Sequence, residues 1–107
     1  MELKEFVEVS NLLIYYKNLL SGKQREYLVD HFEDDFSLSE IAKSNNVSRQ
    51  AVYDNIKRGI SILKDYEEKL GFYKKEKELY EELNLLKKDL EGLKAEKLDK
   101  IIKKYFK

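Results

Sequence analysis

The side chains able to do chemistry gather in one stretch, "VSRQAVYDNIKRG", residues 47–59. Read as a helix, it puts Val52 and Ile56 on one side and leaves Ser48, Arg49, Gln50, Tyr53, Lys57 and Arg58 on the other. Arginine can pair with the edge of guanine and glutamine with that of adenine. Arg49 and Gln50 stand at the N-terminal end, the end that enters a major groove. Lys57 and Arg58 can hold phosphates, and Lys43, upstream, can join them. Asp54 lies in the same outward face and works against it. A carboxylate accepts only from cytosine N4 and otherwise repels the backbone. A second reading makes Arg49 and Lys57 the neutralisers of Asp54 and its acidic neighbours. Spacing and charge alone fit a nucleic-acid reader and a protein-interaction module about equally.

Other chemistry has little to stand on. The one histidine, His31, has no metal-ligand partner at helical spacing and reads as structural or solvated. The many carboxylates sit in charge-patterned runs such as "KKDLEG", which read as solvated helix faces with ion pairs four residues apart. There is no glycine-rich phosphate loop and no nucleophile elbow. With no cysteine, neither a disulfide framework nor a thiolate metal site can form. No catalytic residue, metal ligand or cofactor is expected, and the chain does not read as an enzyme.

The elements that must position the outward set are helices throughout. Proline is absent and glycines number 4, so helix breakers are few. Phe6, Val9, Leu13, Tyr16 and Leu20 predict a first helix from about Leu3 to Leu20. Within it "LLIYY", residues 12–16, is apolar all round, which asks for deep burial or for a partner on the second face. "SGKQ" predicts a capping box, Ser21 with Gln24, that starts a second helix through Tyr27, Leu28 and Phe32, stopping near Glu33. "SLSE" repeats the signal with Ser37 and Glu40, and Asn46 supplies a left-handed stop. Val47 is expected to plug the corner and Ser48 to cap a fourth helix ending at Gly71. Residues 37–59 are thus a helix-turn-helix, with Ile41, Ala42, Val47, Val52 and Ile56 as its core. From Phe72 the chain reads as one long helix. Leu79, Leu83, Leu86, Leu90 and Leu93 form a heptad seam suited to dimerisation, with the off-seam Gly92 costing about 1 kcal/mol. The fold class expected is all-α: a four-helix domain, 1–71, with a long coiled-coil-like helical tail, 72–107.

At 107 residues the chain is the size of one modest domain. Its 21 basic and 21 acidic side chains cancel, but unevenly: −4 over residues 1–36, +1 over 37–71 and +3 over 72–107. DNA-binding domains draw much of their affinity from phosphate contacts, so this balance argues against tight autonomous binding. Charged residues make up 39% and mean hydropathy is −0.67, with no apolar run long enough for a membrane span. The acidic start "MELKEF" lacks the pattern of a signal peptide, so a cytoplasmic protein without membrane insertion is expected.

"GKQREYL", "DDFSLSEIAKSNNVSRQAVYDNIKRG" and "LKDYEEKLGF" together resemble the YlxM-type family of small bacterial helix-turn-helix proteins, over residues 12 to about 72. Members of that family are usually encoded beside signal recognition particle components and have been proposed as accessory or regulatory proteins of that pathway. "LSGKQREYL" followed by "SLSEIAKSNNVSRQAV" is also similar to the promoter-reading region 4 of bacterial sigma factors. The resemblance implies a helix-turn-helix shape, components of that pathway as partners and no enzymatic activity. The leading expectation is a homodimeric regulatory or accessory protein that binds DNA or RNA weakly on its own, a protein component of the pathway, or both. Two alternatives stand beside it. One is a sequence-specific transcription regulator with the fourth helix in a major groove. The other is a coiled-coil adaptor with the helix-turn-helix as scaffold.

Overall fold

Apolar residues three and four apart make α1, Leu3–Tyr16, and turn Val9, Leu12, Leu13 and Tyr16 inward. A computed structural model describes residues 2–106. In it α1 stops four residues short of Leu20, because the chain tightens into a 3-10 turn, Lys17–Leu19. That turn lets Leu20 drop into the core in an extended conformation. The apolar run is mostly buried within the chain, with Ile14 left outward. α2 follows as Gly22–Phe32, α3 as Leu38–Asn45 and α4 as Arg49–Leu70.

The start signals differ in outcome. Ser37 is a full capping box: its Oγ accepts from the Glu40 N–H at 3.1 Å, and its own N–H donates to Glu40 Oε1 at 3.0 Å. Ser21 stands at the N-cap of α2, but its side chain makes no capping hydrogen bond. Gly22 takes a φ of +62° there, which turns the chain off the geometry that a box with Gln24 needs.

α4 packs against α1, α2 and α3 and carries the centre of the unit. Its stripe of Val52, Ile56, Gly59, Ile60 and Leu63 is buried, as are Leu13 of α1, Leu28 of α2 and Ile41 and Ala42 of α3. α2 and α4 approach closely at Gly59, where a Cβ would stand 2.6 Å from Leu28 Cδ1. Phe6 packs on Phe32 with ring centroids 4.9 Å apart, and the hydroxyl of buried Tyr16 donates to Glu67. His31 serves the fold: Nδ1 lies 2.8 Å from the Phe36 carbonyl, and its ring meets Phe6 and Phe32 edge-on. Gly71, at φ +65°, returns its N–H to the Glu67 carbonyl and ends α4.

The chain divides into two compact units, residues 1–71 and the stretch from Phe72 on. The second unit corrects the expectation of one long helix. It is a hairpin of two, α5 at Phe72–Lys88 and α6 at Leu93–Tyr105. After α5, the N–H groups of Asp89 and Leu90 bond back to Leu86 and Lys87, and Gly92 takes φ +61°, ψ −134°. Gly92 is therefore a turn residue and no defect in a helix. The leucine seam breaks with it. Leu79, Leu83 and Leu86 share α5, Leu90 lies in the turn and Leu93 opens α6. Asp99 clips the hairpin, accepting from Lys87 at 2.8 Å and Lys103 at 2.7 Å, while Tyr80 packs on Phe106 at 5.3 Å.

Candidate nucleic-acid interface

Two helix ends build the corner that presents the outward set. α3 ends on Asn46, in the left-handed conformation at φ 55°, ψ 45°, with its N–H turned back to α3 carbonyls. Two residues later Ser48 caps α4, its Oγ accepting from the Ala51 N–H at 3.0 Å. Val47, between them, returns its N–H to the Ala42 carbonyl at 3.0 Å. It does not plug the corner: 41% of it is exposed, because that backbone bond faces its side chain outward. Ile41, Ala42, Val52 and Ile56 are buried as expected.

α4 brings Ser48, Arg49, Gln50, Tyr53, Lys57 and Arg58 together over about three turns, and all are exposed. Lys43 is exposed in the last turn of α3. Asp54 lies near the middle of the outward face, diametrically across the helix from Val52, Ile56 and Gly59. The polar partners were not foreseen. Asp54 is not neutralised by Arg49 or Lys57; its carboxylate accepts from the Gln50 amide nitrogen at 3.0 Å. Lys57 instead lies over the Tyr53 ring, 5.7 Å from its centroid. Both contacts join residues four apart, a spacing that sequence displays and that positions such pairs on one helix face.

The Gln50–Asp54 bond has a chemical consequence. A bidentate contact to adenine needs the glutamine amide as donor and its oxygen as acceptor. The amide has two N–H groups, so the one given to Asp54 leaves Gln50 its oxygen and a second N–H for a base edge, while tying the side chain to the carboxylate. Arg49, Lys57 and Arg58 keep their donors for an incoming anion. The face can thus hold phosphates, with a carboxylate at its centre limiting the field.

Comparison with known proteins places this corner in a family. A family model described as "Putative helix-turn-helix protein, YlxM / p13 like" matches residues 3–104. The chain belongs to that family. A UPF0122 protein of Fusobacterium nucleatum is 62% identical over 102 residues, covering 95% of this chain and 96% of its own. UPF0122 protein YlxM of Bacillus subtilis is 47% identical over 96 residues, covering 90% and 87%. A relative from Limosilactobacillus reuteri is 52% identical over 73 residues, or 68% of this chain. The family match extends beyond α4 across α5 and into the last turn of α6.

Among the described residues no group of histidines and carboxylates could hold a metal ion, and no helix is long and apolar enough to cross a membrane. The shallow hollow beside Lys17, Gly22, Arg25, Glu26 and Asp30 sets both signs of charge against each other.

Proposed function

We propose that this protein is a regulatory or accessory helix-turn-helix protein of the signal recognition particle pathway, which engages nucleic acid weakly through the outward face of α4. The observation that carries the binding surface is the exposed row Arg49, Gln50, Lys57 and Arg58 on a helix fixed at its start by the Ser48 cap. The pathway is supported by the likeness to a family usually encoded beside its components, and the family's helix-turn-helix description supports the surface.

The expected weakness is electrostatic. About four cations neutralising four phosphates give a salt slope near −4, which Asp54 reduces. A self-sufficient regulator making six to ten phosphate contacts is much steeper. The test is a titration of DNA and structured RNA at two salt concentrations, with Arg49→Ala and Asp54→Asn beside the natural chain. Arg49→Ala should weaken binding and Asp54→Asn should tighten it with a steeper slope. Nanomolar, steeply salt-dependent binding of the natural chain to one DNA sequence would replace this reading with a transcription regulator. Indifference to both substitutions would make the helix-turn-helix a scaffold. Capture of pathway components from lysate, with and without nuclease, separates a protein partner from one bridged by nucleic acid.

A further inference from the structure

The hairpin unit cannot owe its stability to its own core. Of its described residues only Ile102 is buried, at 4% exposure. Units below about 40 residues usually need a disulfide, a metal or a partner chain to hold their fold. The chain has no cysteine, and the described residues offer no metal-ligand group.

Its apolar residues are also laid out for a partner. Advancing about 100° per residue, Leu79, Leu83 and Leu86 fall on one side of α5, a quarter turn from the edge where Lys87 and Tyr80 meet α6. Leu98, Ile101 and Tyr105 fall a quarter turn from the inward Ile102 on α6. Because the helices run antiparallel, both quarter turns point the same way, and the two sets make one face. That face remains open: Leu79, Leu86 and Ile101 are each 50% exposed and Tyr105 65%. The reverse face carries Lys77, Glu81, Lys88, Glu96 and Lys103.

We propose that this apolar face is the contact between two copies of the chain, packed hairpin on hairpin into a four-helix bundle with α5 of each copy on α6 of the other. Helices of 17 and 13 residues, about 25 and 20 Å long, suit such a bundle. Charge at the outer borders of the face selects the occupant and the arrangement. The border on α5 carries Glu78 and Glu82 and continues to Asp89, with Lys75 the exception near its start. The border on α6 carries Lys97, Lys100 and Lys104. Among the described residues Glu78, Glu82, Asp89 and Lys97 form no ion pair within the chain. Placing α5 on α5 would set acid against acid and lysine against lysine. A two-fold axis parallel to the helices sets the acidic border of each copy against the basic border of the other, so the surface is complementary to itself. That axis preserves height along the bundle. The Lys87–Asp99 and Tyr80–Phe106 contacts fix the register, which brings Glu82 level with Lys104 and Asp89 level with Lys97 of the second copy.

Sedimentation equilibrium of the full chain at tens of micromolar should return twice the 12.8 kDa chain mass. Glu82→Lys with Asp89→Lys should raise the dimer dissociation constant about tenfold or more, and so should Lys97→Glu with Lys104→Glu. These positions are exposed, so each variant should keep its helical circular dichroism. Mixing the two variants, or combining all four changes in one chain, should restore the dimer. A monomer mass for the natural chain would overturn the proposal. So would a dimer indifferent to the charge changes, or one that their combination fails to restore.

Discussion

Gly59 sits in the middle of α4, where alanine would ordinarily be the better helix former by about 0.8–1 kcal/mol. The structure reverses that expectation. A Cβ there would lie 2.6 Å from Leu28 Cδ1, 3.1 Å from Gln24 Cγ and 3.3 Å from Leu28 Cγ. Leu28 is fully buried, so it cannot swing into solvent to make room. Overpacking of this kind costs about 1–3 kcal/mol, and subtracting the helical gain leaves Gly59→Ala destabilising by up to about 2 kcal/mol. For a unit of this size that is a fall in melting temperature of up to roughly 16 °C. The decisive measurement is a double-mutant cycle by chemical denaturation. Leu28→Ala alone should cost about 2–5 kcal/mol. In the Leu28→Ala background the tightest contact is gone and only the flexible Gln24 side chain must give way, so Gly59→Ala should become neutral or stabilising by up to about 1 kcal/mol. If Gly59→Ala costs the same in both backgrounds, the α2–α4 approach is not what excludes a side chain at residue 59.

The hairpin yields two more expectations. Gly92→Ala gains nothing from helix propensity, because residue 92 must adopt φ +61° with ψ −134°; it should destabilise by about 1 kcal/mol or more, read from the denaturation midpoint, and a rise in stability would mean the turn is misplaced. Hydrogen bonds from Lys103 and then Lys87 hold the Asp99 carboxyl at about 2, below its ordinary 3.8. A depressed carboxyl pKa stabilises the fold above the ordinary value and loses that contribution as pH falls through about 2, so the hairpin should weaken between these limits and Asp99→Asn should remove that part of the acid dependence. A carboxyl titration followed by NMR with its midpoint near 3.8 would contradict the clip.

Much of the first unit was legible because its signals are local. A capping box, an asparagine stop and a serine cap each act over three or four residues, and all three stand at Ser37, Asn46 and Ser48. The failures have equally local causes. Ser21 with Gln24 matched the box by type, but Gly22 between them chose a backbone the box cannot use. In the tail, heptad spacing continued through Gly92 although the helix did not. Spacing alone does not separate one long helix from two shorter ones, and the Asp99 clip that pins the hairpin joins residues 12 apart. On α4 the outward residues follow from Val52 and Ile56, yet which of them pair is a choice among rotamers. Lys57, three residues on, and Gln50, four residues back, both stand within reach of Asp54, and Gln50 took it.

Assembly and nucleic-acid binding would bear on each other through charge. One α4 face offers Lys43, Arg49, Lys57 and Arg58 against Asp54, too few cations for tight binding at physiological salt. Two copies held by their hairpins would offer two such faces to one nucleic acid. The salt slope should then move from about −4 toward −7, with the second engagement paid for by local concentration instead of new contacts. Affinity would rise with protein concentration through the range where the dimer forms. A Glu82→Lys, Asp89→Lys chain, altered nowhere on α4, should lose that steepening while keeping the shallow single-face slope. In that case the carboxylate at the centre of the face has a use: it keeps one copy weak, so that binding depends on assembly.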